Sequence, residues 1–319
     1  MRLILQYCPS DADRARPQGP VGYDTRQRSW YVRLILFGES MAGEAVGQGM
    51  SWTHADPGYV PPEIDTSRPS VARVYDAILG GKDNFAADRA VAELAYKAFP
   101  DGGRAAFINR DMLGRAVRYM AGHGIGQFLD LGSGLPTAAN THQIAQAASP
   151  ATRVVYVDND PLVLAHGRAL LADNASTAVV TADLREPDRI WSNPEIAGFL
   201  DVSQPVGLIL NAVIHHVLDE ENPYAVVGRY KELLAPGSYL LLTHFSSSSA
   251  EARALEQVLL RTLGRGQLRS REEIASFFDG LDIVAPGVVY LPQWHPDEPV
   301  PATFGISELL YVGGLGHKR

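Results

Sequence analysis

The sequence predicts an α/β protein, in which a small helical cap leads into a mostly parallel, seven-stranded sheet. Three observations carry this expectation. From residue 126 onward, short apolar runs of buried-strand type alternate with helical periods, and such alternation implies parallel strands joined by right-handed crossovers. Three amphipathic stretches precede the first of these runs. The chain has 319 residues, 46% of them hydrophobic and 20% charged, which is ordinary globular composition. At about 100–200 residues per domain, one full domain plus an appendage is expected.

Residues 1–65 form an N-terminal extension with Pro9, Pro17, Pro20, Pro57, Pro61, Pro62 and scattered glycines, but no sustained period. Such a segment buries too little apolar surface to offset chain entropy, so disorder or loose packing is expected. Met41 and Met50 also admit a later start, and 31–37 admits a short strand. The cap spans 66–125. Val71, Val74, Tyr75, Ile78 and Leu79 fall on one helical face, which Gly80-Gly81 ends. A second helix aligns Val91, Leu94, Ala95 and Ala98 and closes at Pro100. A third begins at Asn109-Arg110-Asp111 and aligns Met112, Leu113, Ala116, Val117 and Met120.

In the main domain, 126–319, strands are expected at 128–131, 154–158, 178–182, 206–210, 238–243, 288–291 and 309–312. Helices are expected near 138–148, 161–172, 188–200 and 223–234, then near 249–263 and 271–279. The last two open on Ser248-x-x-Glu251 and Ser270-x-x-Glu273, both of capping-box form.

Several function classes are excluded or disfavoured. No apolar run approaches the roughly 18 residues of a membrane span, and the N-terminal apolar stretch is too short for a secretory core. Cys8 is the only cysteine, which excludes disulfides within the chain and cysteine-rich zinc sites. A cytoplasmic protein is expected. The net charge of −8 argues against a phosphate backbone as partner. Arg261, Arg265, Arg269 and Arg271 read as a solvated helix end and loop rather than an RNA patch.

The strongest chemical signal is Phe128-Leu-Asp130-Leu-Gly132-Ser-Gly134-Leu-Pro136, a strand entering a glycine-rich turn. Glycines at this point let backbone approach a ligand at the carboxyl edge of a sheet. A dinucleotide site would place a third glycine where Thr137 stands. Asp130 would sit badly beside a pyrophosphate and well beside an ammonium or sulfonium. Asp158 ends the next strand 26 residues after Gly132, where an acid can accept ribose hydroxyls, with Asn159 beside it. Asp160-Pro161 reads as a helix N-cap and N1 pair. After the third strand, Asp183 can accept an adenine amine while Leu184 packs on the ring.

In this order, these elements resemble the Rossmann-like class I S-adenosylmethionine-dependent methyltransferases. The resemblance continues through Asn211-Ala-Val-Ile-His215-His216 and Leu234-Ala-Pro236-Gly237. Tyr75-Asp76-x-x-Leu79-Gly80-Gly81-Lys82-Asp83-Asn84-Phe85, Gly134-Leu-Pro136-Thr137 and Val157-Asp158-Asn159-Asp160-Pro161 narrow it further. They resemble the actinobacterial S-adenosyl methyltransferase family, over about 67–314. The resemblance implies an antiparallel last strand and cofactor contacts at Asp130, Gly132, Gly134, Asp158, Asn159, Asp183 and Leu184, with Asn211 joining them. Where many relatives carry an aromatic and a proline after the fourth strand, this chain has His216 and Leu218.

Lys82, in the cap motif, and Arg110 are rival partners for the carboxylate of the cofactor's methionine moiety, and the planar fork of Arg110 suits it better. His215 and His216 are candidate general bases, with Tyr75 as a further catalytic candidate. The remaining histidines have no ligand spacing, so no metal is expected. The leading expectation is O- or N-methylation of a small molecule in a site closed by the cap. A non-catalytic S-adenosylmethionine-binding regulator is the alternative, and Thr137 disfavours a nicotinamide oxidoreductase.

Overall fold

The computed structural model describes residues 64–136, 140–170 and 174–319. The expectations for 1–63 and for Thr137 lie outside those residues. Three helices come first: α1 (Val71–Ile78), α2 (Ala86–Ala98) and α3 (Gly102–Gly122). Strands and helices then alternate as β1 (Gln127–Leu131), α4 (Thr141–Ala148), β2 (Arg153–Asp158), α5 (Pro161–Leu170) and β3 (Thr177–Thr181). Next come α6 (Pro187–Trp191), α7 (Pro194–Phe199), β4 (Gly207–Asn211), α8 (Pro223–Leu233) and β5 (Tyr239–Phe245). The chain closes with α9 (Ala250–Leu263), α10 (Arg271–Ser276), β6 (Asp282–Ile283), β7 (Val289–Tyr290), α11 (Ile306–Leu309) and β8 (Tyr311–His317).

The sheet order is β3-β2-β1-β4-β5-β8-β6, with β7 also on β8. Strands β1 to β5 pair in parallel, and β8 runs antiparallel to β5. Both β6 and β7 pair with β8 on the edge that β5 leaves open. The eight strands therefore fill seven positions in the sheet, the last of them broken. Strand β6 was not expected, because it is two exposed residues, too short to show an alternation. Strand order reverses between β1 and β4, which opens a crevice at their carboxyl ends.

Side chains alternate between two cores. Phe128, Val154, Ile209 and Leu241 face α3 and α4 through Met112, Ala116, Met120 and Ala145. Leu129, Val155, Leu208 and Leu240 face the other way, onto Ile190, Ile196, Val227 and Tyr230. Burial on both faces is why these strands read as continuous apolar runs. At the start of β4, a Cβ on Gly207 would stand 2.5 Å from the Phe128 ring, so only glycine lets α3 and the sheet close up there.

Several elements differ from expectation. The helix expected over 188–200 is two helices, because Asn193 caps a new one by accepting from the Glu195 amide and Pro194 takes its first turn. Helix α3 starts at Gly102, so Asn109 and Arg110 lie about two turns inside it. On α2, Leu94 is 37% exposed while Asp88 is buried. On α1, Arg73 and Asp76 are buried beside Val74. Ser270 and Glu273 form the expected capping box, whereas α9 is capped by Ser249 and Ser248 instead donates to the Leu309 carbonyl. Arg269 is not a solvated charge. It is 2% exposed, donates to Asp219 Oδ1 at 2.6 Å and to the Val217 carbonyl, and packs against His244. Among the described residues, no helix is long and apolar enough to cross a membrane.

Candidate active site

The carboxyl ends of β1, β2 and β4 meet at the glycine-rich turn. Gly132 and Gly134 both adopt left-handed φ, +67° and +66°. The Gly132 amide donates to the Val157 carbonyl at 2.7 Å, drawing the turn against β2. A Cβ on Gly132 would lie 2.2 Å from Val213 Cγ2, whereas one on Gly134 would meet nothing within 4 Å. One glycine is thus required by a close contact, and the other by its backbone conformation in front of open space.

Asp130 lies beneath this turn at 5% exposure and accepts from the Thr141 hydroxyl at 2.7 Å. Burial pushes its carboxyl up to about 7, against the opposing pull of Thr141 and the Arg110 charge, while the Asp158 charge adds to the rise. Asp158 is also raised by burial, and its two oxygens accept from the Asp160 and Gly134 amides, each at 2.9 Å. Asn159 is exposed beside it. Asp160 caps α5 as expected, accepting from the Leu162 amide at 2.9 Å. Hydrogen bonds from Arg185 lower Asp183, and Arg185 also bonds Glu221. The Leu184 side chain packs partly into the second core, and its carbonyl accepts from the Tyr230 hydroxyl.

The cap lies on this edge. Ile64, Ala72 and Phe85 pack against Leu135 of the glycine turn and against Leu162 and Val163 of α5. Gly80, at φ +77°, ends α1. Gly81 has a different reason: its Cβ would fall 2.0 Å from Asp76 Oδ1. The buried Asp76 carboxylate organises the loop that follows, accepting from the Asp83 amide and the Asn84 side chain. Asp83 approaches His166 of α5 at 3.6 Å, while Lys82 is exposed.

A second group of polar residues gathers where β4 and β5 end. The Thr243 hydroxyl accepts from the Ala212 amide at 2.8 Å and lies 2.7 Å from Asn109 Oδ1 and 3.1 Å from Asn211 Oδ1. Asn109 is fully buried, and its Nδ2 reaches no hydrogen-bond partner. That amide sits close enough to the Tyr75 hydroxyl to lower its pKa, as does the Arg110 charge, although burial outweighs both and raises it. An apolar crevice here is lined by Tyr75, Tyr96, Phe99, Phe245 and Tyr311.

His215 stands directly behind, stacked on Phe245 at 3.8 Å and 1% exposed. His216 packs on it at 4.3 Å. Neither Nδ1 has a partner. Burial drives both well below the usual imidazole value, His216 to about 3, so both are neutral near pH 7.

The fold thus brings Asp130, Gly132, Gly134, Asp158 and the Arg110 charge to one edge, with Tyr75, Asn211 and His215 grouped beside them. Asp183 and Leu184 end the third strand, and Lys82 stays on the cap loop. The sequence reading missed Asn109, Tyr311, Phe245 and the buried polar face of α1. A visible signal for the last was Arg73 and Asp76, charged residues three apart within an otherwise apolar helix.

A model of the S-adenosyl methyltransferase family matches residues 58–319. A structure from Thermobifida fusca, described as that of a candidate methyltransferase, is 47% identical with a TM-score of 0.78, over 82% of this chain and 99% of that one. A duf574 family protein from Streptomyces avermitilis is 37% identical with a TM-score of 0.77, over 81% of this chain and 100% of its own. None of the curated proteins matches the chain.

Proposed function

The chain belongs to the S-adenosyl methyltransferase family and takes S-adenosylmethionine as its cofactor, and from that premise we propose that it methylates an oxygen or nitrogen of a small molecule held under the cap. The observation that carries this reading is the buried Asn109 amide, whose Nδ2 has no partner, beside Tyr75, which itself lines an apolar crevice with Tyr96 and Tyr311. A buried donor without an acceptor costs stability, on the order of 1–3 kcal/mol. A polar atom of an acceptor would satisfy it.

The residues at the glycine turn fit the cofactor. Gly134 leaves open space, Asp158 keeps lone pairs for two ribose hydroxyls, and Asp130 suits a cationic neighbour. In this reading Asp183, Asn159 and Leu184 hold the adenosine. Arg110 or Lys82 pairs with the methionine carboxylate, and Asn211 borders the reacting end. When bound, the cofactor supplies a methyl group already activated on a sulfonium.

The chain must then align the acceptor, exclude water and take up a proton. Tyr75 and Asn109 orient the acceptor, with Tyr311 opposite. His215 is the preferred proton acceptor, supported by its unpartnered Nδ1, and His216 sets its plane by packing. For a hydroxyl acceptor a weak base is enough, because the protonated ether formed as the oxygen takes the methyl group is strongly acidic; a methylated amine can leave as its ammonium and needs no base after transfer.

The test is transfer of a labelled methyl group to pools of hydroxyl- and amine-bearing small molecules, read by mass spectrometry. A labelled product that disappears in Tyr75→Phe or His215→Ala, with cofactor affinity intact, supports the reading. Labelled product that persists in both variants overturns the assigned roles.

A further inference from the structure

Helix α1 buries charge at the junction between the cap and β2. Arg73 is 5% exposed, Asp88 0% and Asp160 7%. Arg73 Nε lies 3.3 Å from Asp160 Oδ2 and 3.8 Å from Asp88 Oδ1. The rest of its guanidinium donates to the carbonyls of Asp65 at 3.1 Å and Arg68 at 3.0 Å. Ser70, the N-cap of α1, donates its hydroxyl to the same Asp160 oxygen and accepts from Arg73 Nε at 3.0 Å. Asp88 in turn accepts from the Ser70 amide at 3.0 Å and the Phe85 amide at 2.8 Å. One cation therefore holds two buried carboxylates from distant parts of the chain.

Asp160 connects this cluster to the cofactor edge. Its amide donates to Asp158 Oδ1, while the Gly134 amide donates to Oδ2. The Asp158 carboxylate is thus clamped between two backbone donors, one of which belongs to the residue that Arg73 and Ser70 hold. We propose that Arg73, with Ser70, is a positioning residue for the cofactor's ribose: from the cap it fixes the Asp158-Asn159-Asp160 turn and so aims Asp158. This rests on the reading of Asp158 as the ribose acceptor.

Removing Arg73 leaves Asp88 and Asp160 buried without their cation, and two like charges relax apart or take up protons. Either response moves the Asp160 amide and releases one arm of the clamp. Cofactor binding therefore depends on a cap residue that need not touch the cofactor.

The test compares two ligands in the full chain by titration calorimetry: S-adenosylhomocysteine and its 2′,3′-dideoxyribose counterpart. Their affinity ratio reports the ribose contacts alone, and a general loss of stability does not move it selectively. Asp158→Ala is expected to collapse the ratio. Arg73→Met should lower affinity for S-adenosylhomocysteine roughly tenfold, the size of one hydrogen bond to a charged group, while the dideoxy ligand changes less than about twofold. Ser70→Ala, which keeps the ion cluster, should shift the ratio in the same direction by less, and it decides the question if Arg73→Met does not fold. A ratio unchanged in Arg73→Met, or in Ser70→Ala where that variant decides, but collapsed in Asp158→Ala overturns the positioning role alone. A ratio unchanged in Asp158→Ala overturns the ribose assignment, and the positioning role with it.

Discussion

Asp130 is expected to make cofactor binding depend on pH. Its carboxyl is raised from 3.8 to about 7, first because it is buried, and the groups facing it are Thr141, Arg110, Asp158 and Tyr156. The folded protein then keeps a proton that the unfolded chain has lost. This contribution to stability is present in full below 3.8 and is lost as pH rises through about 7. At 1.36 kcal/mol per pKa unit, the whole effect is on the order of 4 kcal/mol. A ligand that brings an ammonium to this carboxylate favours its ionised form, so binding expels the proton.

Affinity should therefore rise with pH by up to about tenfold per unit below 7 and level off above it. The assay is calorimetric titration of S-adenosylhomocysteine from about pH 5.5 to 8, in buffers of different ionisation enthalpy. Wild-type protein should release about half a proton per ligand at pH 7. Asp130→Asn, which cannot ionise, should bind without that release. A flat affinity in the wild type, or the same slope in Asp130→Asn, would refute the reasoning.

Other outcomes follow from the same geometry. Asp158→Ala should weaken cofactor binding by about 1–3 kcal/mol; calorimetry showing unchanged affinity in a folded variant removes its ribose role. Gly132→Ala forces a Cβ to 2.2 Å from Val213 at a left-handed φ, and should cost ~2–4 kcal/mol in urea unfolding. Adding Val213→Ala should recover part of that loss, and no recovery would mean that the contact is not the cause. Arg110→Ala should weaken cofactor binding more than Lys82→Ala, since the Arg110 charge reaches Asp130 and Lys82 is exposed; the reverse order in calorimetry would return the carboxylate to the cap loop.

Much of the architecture was legible along the chain. Strands buried on both faces must be apolar throughout, and a turn that admits a ligand must contain glycine, so β1 to β5 and the Asp130 to Gly134 turn announced themselves locally. Asp158 and Asp183 could be placed by counting from that turn, because parallel strands deliver their carboxyl ends to one edge.

The side of a helix that carries buried charge could not be read in this way. Hydropathy assigns charge to solvent, yet Arg73 and Asp88 lie inside because partners arrive from elsewhere in the chain. Asp76 lies inside because the loop after its helix folds back to donate the Asp83 amide and the Asn84 side chain to it. Ser70 and Asp160 are 90 residues apart, and Arg104 and Glu308 are 204 apart. The same holds for Arg269, whose partners Asp219 and His244 come from the segments after β4 and within β5. Burial of an ion is decided by whether a counter-charge and hydrogen-bond acceptors meet it in space, and that meeting exists only once the sheet has closed. The sequence by itself determined where the strands fall along the chain and which glycines and carboxylates stand at their carboxyl ends; the tertiary structure alone decided which charges join the cap to that edge.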